Sequence, residues 1–485
     1  MKLYSGNNAT KVELGAIVNL PNEQTPDTDT SIAEGLVSFE KHVDAYSSLN
    51  TVYSQVIMED FSFINRGNCV LYNEYIRTIT SNLGLPDTQS ISQEAIDLLP
   101  TAALNHHLAL EGFISNIWDK IKKIFAAIIK AIKDFFIRYF TRLGRLKGKL
   151  QNLKELLNST DTNLKTPSLD TVPSGLASKY PYGSDLTIGT ITEVFKNSTA
   201  TISALTKINA DAIKLAKKDV LDADFVEKVK SLKNIVESGS KSIDANNARK
   251  NTGFKSMIPG TKDNKENKAI DEDSKGIKQT IDDAKKEADS EDGKLAAIND
   301  DKENINIEFD DKVFTAARNE FNALLDTINT SMGSLLNKKL ISGKSIAKID
   351  VSPEEGISLD METADDKPGV VSLSGRNALS TLIESTIKTI TDSEEVASKS
   401  GSVNDAISNS MTSIDKLIHD IDSTGDAKLG KYKTILNNKV KERLNLLKSF
   451  FTTYNKLNKT LFETVLDAAD GNVEYTVLCI KYFSK

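Results

Sequence analysis

The sequence predicts a mainly α protein: long amphipathic helices in a bundle, with a small antiparallel β insertion at about 345–375 and a charged flexible excursion at about 262–311. Three observations carry this. The ten prolines leave 101–166, 182–258, 260–352 and 369–485 free of proline, so helices there need not be interrupted. Apolar residues recur in those windows at three- and four-residue steps, the period of a helix with one buried face. The exception is 345–375, where "SIAKIDV", "GISLDME" and "GVVSLSG" alternate between turn residues, the period of a half-buried strand.

Taken in order, a loop around "PNEQTPDTDTS" precedes a helix from about Ser31 to Asn65. A second helical piece runs through "LYNEYIRTITSNLG" and ends at Gly84 and Pro86. "SISQEAIDLLP" carries a capping signature, Ser90 with Gln93 three residues on, and stops at Pro100. Next comes "HHLALEGFISNIWDKIKKIFAAIIKAIKDFFIRYF", His106 to Phe140. From Phe113, residues Ile114, Ile117, Trp118, Ile121, Ile124, Phe125, Ile128, Ile132, Phe135, Phe136, Tyr139 and Leu143 follow helical steps, so one face is apolar. Lys120, Lys122, Lys123, Lys130, Lys133, Arg138, Arg142, Arg145, Lys147 and Lys149 fall mostly on the remaining arc.

"KTPSLDTVPSGLASKYPYGS" then reads as a Pro/Gly/Ser-rich linker. Beyond it three further helical stripes appear: Phe195, Ile202, Leu205, Ile208, Ala212 and Leu215; Phe314, Phe321, Leu324, Leu325, Ile328, Met332 and Leu335; and Tyr432, Leu436, Val440, Leu447, Phe451, Tyr454 and Leu461. The stretch 262–311 mixes both charges with little to bury.

Net charge is -7 over 485 residues, but it is unevenly distributed. Residues 1–111 hold 5 Lys/Arg against 14 Asp/Glu, whereas 112–150 hold 10 Lys/Arg against Asp119 and Asp134 alone. An acidic lead-in therefore gives way to a basic helix at Glu111–Gly112. The expected organisation is 1–111 acidic and helical, 112–164 basic and amphipathic, 165–190 a linker, and 191–485 an elongated helical domain with the small β insertion.

The sequence also argues against several function classes. No apolar run reaches the roughly 18 residues of a spanning helix, and the N-terminus lacks an apolar core followed by a small-residue cleavage site. Cys69 and Cys479 form no CxxC pair, so a disulfide framework or zinc site is not expected and a reducing compartment fits. "SGKS" at Ser342–Ser345 has the end of a phosphate-binding loop, but Lys338 stands where its first glycine belongs. "ADSEDG" fails as a calcium loop, with Ala288 and Asn299 at ligand positions. His107 and Glu111 lie four apart without a third ligand nearby. The expectation is a non-enzymatic protein with no cofactor, no metal and no small-molecule substrate.

A packed helix can bury its apolar stripe and still offer cations to a polyanion or membrane surface. No helix-turn-helix or RNA-binding signature accompanies the basic run, so such contact should be non-specific. Ala109-Leu110-Glu111 before Gly112 places a small residue, any residue and Glu at the charge reversal, and a cut there would leave the basic helix at a new N-terminus.

This layout resembles the head proteins of tailed bacteriophages, particularly giant phages, whose prohead proteases cut after Ala/Ser/Gly-x-Glu or Leu/Ile-x-Glu. The resemblance implies that residues 1–111 are a propeptide, that Ala109, Leu110 and Glu111 are recognised, and that Gly112 is the mature N-terminus. Ile32-Ala33-Glu34 and Ile57-Met58-Glu59 are similar triplets, making Glu34 and Glu59 secondary candidates. It further implies an internal or structural head protein in the virion, assembled in the host cytoplasm. Its partners would be the prohead protease and capsid or other internal head proteins, with DNA or a membrane surface as non-specific contacts. Two other readings are a membrane-active effector or toxin masked by the acidic lead-in, and an uncleaved coiled-coil interaction protein.

Overall fold

A computed structural model describes residues 28–58, 74, 76–83, 100–159, 167–216, 312–352, 356–422 and 430–483. The Ser90–Gln93 signature, the 262–311 stretch, Cys69 and Glu59 lie outside these residues.

The protein is mainly α, as its sequence predicts. The helices are α1 Thr28–Met58, α2 Pro100–Ser159, α3 Ser174–Lys179, α4 Ile188–Ala216, α5 Lys312–Gly333, α6 Arg376–Asp422 and α7 Gly430–Phe483. A short helical piece also covers 76–82. Pro100 opens α2, where its missing N–H leaves no helical bond unmade. Thr187 caps α4, its hydroxyl accepting the Thr190 N–H at 3.2 Å. At about 1.5 Å per residue, the 60-residue α2 extends about 90 Å and the 54-residue α7 about 81 Å, so the bundle is long.

Helix α7 is the central rod. It packs against α1, α2, α4 and α6, while α1 meets α2, α2 meets α6, α6 meets α4, and α4 meets α5, so these helices form a partial sleeve around it. Its sequence explains the position. Leu436, Val440, Leu447, Phe451, Tyr454 and Leu461 are buried, and small polar residues on its other faces are buried too. Three polar residues of α7 pair across the interfaces: Tyr454 Oη donates to Asn209 Oδ1 at 2.6 Å, Asn455 Nδ2 to Asn404 Oδ1 at 3.0 Å, and Asn472 Nδ2 to Thr386 Oγ1 at 2.9 Å. A buried amide shifted away from its partner loses a hydrogen bond and is left desolvated, so these pairs select one register.

The stripes on α4 and α5 are buried as their spacing requires, except that Phe314 is half-buried with the Arg443 guanidinium 5.1 Å over its ring. The β insertion is an antiparallel hairpin, β2 Lys344–Ser352 with β3 Gly356–Thr363, joined at Ser352↔Gly356. It lies against α5 and α7. The third alternating segment does not extend this hairpin. Val371–Ser372 (β4) pairs instead with Ser168–Leu169 (β1), antiparallel.

The stretch 165–190 thus contributes β1 and α3, and buries Leu176, Tyr180 and Leu186. "SGKS" forms a left-handed turn, with Ser342 at φ 60 and Gly343 at φ 72. A side chain at Gly343 would stand 2.5 Å from the Ala364 carbonyl oxygen, so the glycine serves the turn.

Candidate functional site

Helix α2 carries most of the residues singled out by the sequence. Ala109, Leu110, Glu111 and Gly112 lie inside it, in unbroken helical backbone from Pro100 to Ser159. Exposed irregular segments are the preferred places for proteolysis. A cut after Glu111 therefore requires this part of α2 to unwind. Glu34 is exposed on α1, between the buried Ile32 and Leu36. Gly35 beside it sits where α1 crosses α2: a Cβ there would fall 2.8 Å from Ile128 Cγ1.

The apolar face of α2 is core. Phe113, Ile117, Trp118, Ile121, Phe125, Ile128 and Phe135 are all buried. Phe125 joins Phe39 of α1 and Phe451 of α7 in an aromatic cluster, with ring centroids 5.7 and 4.8 Å away. Trp118 stacks at a tilt on Tyr46, 5.3 Å between centroids, and donates its indole N–H to Asp415 Oδ1 at 2.7 Å.

The basic arc is divided in two. One flank faces α6, where Lys122 meets Asp415 at 3.1 Å, Lys133 meets Asp405 at 3.2 Å, and Lys147 meets Glu394 at 3.7 Å and the Thr391 hydroxyl at 3.1 Å. Lys154, which the periodicity did not single out, continues the row with Glu384 at 2.7 Å. The pairs advance along the two helices in opposite directions, an antiparallel ladder. Burial tends to lower the Lys122 pKa, but Asp119 and Asp415 outweigh it and hold the ammonium above its ordinary value. Arg142 reaches α7 instead, 4.0 Å from Asp470.

The other part of the arc faces solvent. Lys120, Lys123 and Lys130 are exposed, Lys149 is half-buried, and Arg138 and Arg145 flank them, half-buried and exposed respectively. Lys123 and Lys130, two helical turns apart, share one line on the helix with the exposed Asp134 nearby. Ile137, 63% exposed, stands on the same side. This face presents cations without a built pocket, and suits an extended anionic surface better than a small ligand.

The α6 acids were the residues sequence reasoning missed. Their signal is legible in hindsight: Glu384, Glu394, Asp405 and Asp415 recur at ten- and eleven-residue steps, about three helical turns each. Among the described residues no three His, Cys, Asp or Glu side chains gather in a way that could hold a metal ion. No described helix is long and apolar enough to cross a membrane.

Residues 76–265 match the family of phiKZ-like phage internal head proteins. The matched span contains the Glu111–Gly112 junction and the whole basic segment. No curated protein and no solved structure matches the chain. The family match supports the resemblance to giant-phage internal head proteins and, with it, a place in the virion head.

Proposed function

We propose that this chain is a non-enzymatic structural protein of the phage head interior, a rigid helical rod whose solvent-facing α2 cations contact packaged DNA without sequence preference. The observation that carries the reading is the division of the basic arc. Lys122, Lys133 and Lys147 are engaged by α6, while Lys120, Lys123 and Lys130 are left exposed along one side of a helix within the matched span. Phosphate neutralisation by such a row gives salt-dependent, sequence-independent affinity.

The reading includes processing. The chain is made as a precursor, the prohead protease cuts after Glu111, and loss of residues 1–111, with their 5 Lys/Arg against 14 Asp/Glu, turns the net charge from -7 to positive. The acidic segment would then act as a long-range repellent of DNA until maturation. Other internal head proteins and the capsid are the remaining partners. A membrane role is less favoured, because inserting the apolar face of α2 would require Trp118, Phe125 and Ile128 to leave the core.

The test compares the chain with a Lys120→Glu, Lys123→Glu, Lys130→Glu variant on duplex DNA and on anionic vesicles at several salt concentrations. DNA binding that weakens with salt and falls in the variant, with thermal stability unchanged, supports the reading. Equal binding by both chains rejects the assigned face. N-terminal sequencing of the protein from mature particles tests the cut, and an intact Glu111–Gly112 bond there rejects it.

A further inference from the structure

A polar layer crosses the bundle core where α4, α6 and α7 meet. It comprises Asn209 on α4, Ser400 and Asn404 on α6, and Tyr454, Asn455 and Asn458 on α7, none of them more than 3% exposed. Five of the six are joined by hydrogen bonds. Tyr454 Oη donates to Asn209 Oδ1 at 2.6 Å, Asn209 Nδ2 donates to Ser400 Oγ at 3.0 Å, Asn404 Nδ2 donates to the Ser400 carbonyl at 3.1 Å, and Asn455 Nδ2 donates to Asn404 Oδ1 at 3.0 Å. Asn458 differs. Its Nδ2 and Oδ1 are both buried, and neither has a hydrogen-bond partner among the described residues. The amide lies one helical turn beyond Tyr454, on the same side of α7. Burial raises the Tyr454 pKa, while the Ser400 hydroxyl and the Asn458 amide act to lower it, so both groups stand beside Oη.

A buried amide with no partner is costly, and a leucine of similar size would avoid the cost. The position therefore calls for a partner that the protein itself does not supply. Its chemistry is narrow. Asn458 offers N–H donors and an acceptor oxygen, while Tyr454 Oη, whose one proton is committed to Asn209, offers acceptor capacity alone. A cation would face the amide N–H groups and an anion would face both oxygens, whereas water donates and accepts. We propose that Asn458 and Tyr454 bind ordered internal water, which accepts from Asn458 Nδ2 and donates to Asn458 Oδ1 and Tyr454 Oη. The water joins Asn458 to the other five residues, so that the layer links α4, α6 and α7 with no amide left unpaired. No residue of α1 or of the exposed α2 face takes part, so the site stands apart from DNA binding and from processing.

The experiment uses the full chain and two measurements. Magnetic relaxation dispersion of the solvent oxygen nuclei counts water molecules that stay inside the protein for longer than it takes to tumble. The chain is compared with its Asn458→Leu variant, and circular dichroism checks that both are equally helical. The variant is expected to lose the signal of at least one internal water. A high-resolution crystal structure of the unmodified chain locates the ligand directly, and so decides the matter even where the variant fails to fold. Density for water in hydrogen-bond contact with the Asn458 amide and Tyr454 Oη is the expected result. An unchanged relaxation signal in a folded variant, an Asn458 amide bonded directly to protein, or a bound ion in place of water would each overturn the proposal.

Discussion

Trp118 and Asp415 are joined across the α2–α6 interface by a 2.7 Å hydrogen bond from the indole N–H to Oδ1, and the same oxygen receives the Lys122 ammonium at 3.1 Å. One carboxylate therefore satisfies the polar end of a buried ring and anchors the first rung of the charge ladder. The face of α2 that most resembles a membrane-active peptide is fixed in the protein core by this arrangement.

Trp118 emission should accordingly be blue-shifted in buffer and little changed by anionic vesicles, since the ring is already 4% exposed. Trp118→Ala should destabilise the protein by about 3–5 kcal/mol, the usual range for truncating a large core ring. Chemical denaturation followed by circular dichroism measures the loss. Red emission in buffer that shifts only on adding lipid would show that α2 is not packed.

The ladder should set register more than stability. Lys133 and Asp405 side chains are 61 and 63% exposed, so Lys133→Glu should cost less than about 1 kcal/mol. Lys147 and Glu394 are each 32% exposed, and Lys147→Glu should cost more than Lys133→Glu does. Adding Glu394→Lys should recover the difference in a double-mutant cycle, while equal costs at both sites would show that burial does not govern the ladder.

Gly35 gives a prediction that changes sign with context. An alanine there adds about 1 kcal/mol of helix propensity to α1, but its Cβ would meet Ile128 Cγ1 at 2.8 Å, an overpacking that costs about 1–3 kcal/mol. Gly35→Ala should therefore be neutral to destabilising in the native background. In an Ile128→Ala background, where the clashing atom is gone, the same substitution should stabilise. Stabilisation in both backgrounds would mean that α1 does not cross α2 at this point.

Asp467 on α7 predicts a pH dependence. Burial raises its pKa, against the lowering influence of Arg142, Lys344 and Lys179, with Asp470 adding to the rise. The folded protein thus holds this proton at pH values where the unfolded chain, near the ordinary 3.8, has released it. Stability from this group is present below that value and is lost as pH rises through the folded pKa. Asp467→Asn should raise the Tm at pH 7 and lose its advantage at pH 3. An advantage that persists at pH 3 would assign it to packing and not to charge.

Much of the fold was legible in the sequence because helices and a hairpin leave different periods, and those periods survive without knowledge of neighbours. Spacing alone locates the buried faces of α2, α4 and α7, with Ile124 half-buried and the Tyr432 side chain outside the described residues, and the alternation at 345–375 locates β2 and β3. The pairing of β4 with β1 left no such trace, because two residues on each side are too few to show a period. In the same way, "KTPSLDTVPSGLASKYPYGS" shows its turn residues in sequence but not that Tyr180 lies against Gly471 of α7.

The basic arc marks the boundary most clearly. The sequence by itself determined that α2 has one apolar and one cationic side, since that follows from the order of residues on a helix of fixed pitch. Which cations meet an acidic partner on α6 was decided only by the tertiary structure, because it depends on where α6 lies. Lys133 and Lys130 are chemically identical and one turn apart, yet one reaches Asp405 and the other reaches water. A salt bridge forms only within about 4 Å, and the chain places Asp405 within that range only by folding back on itself.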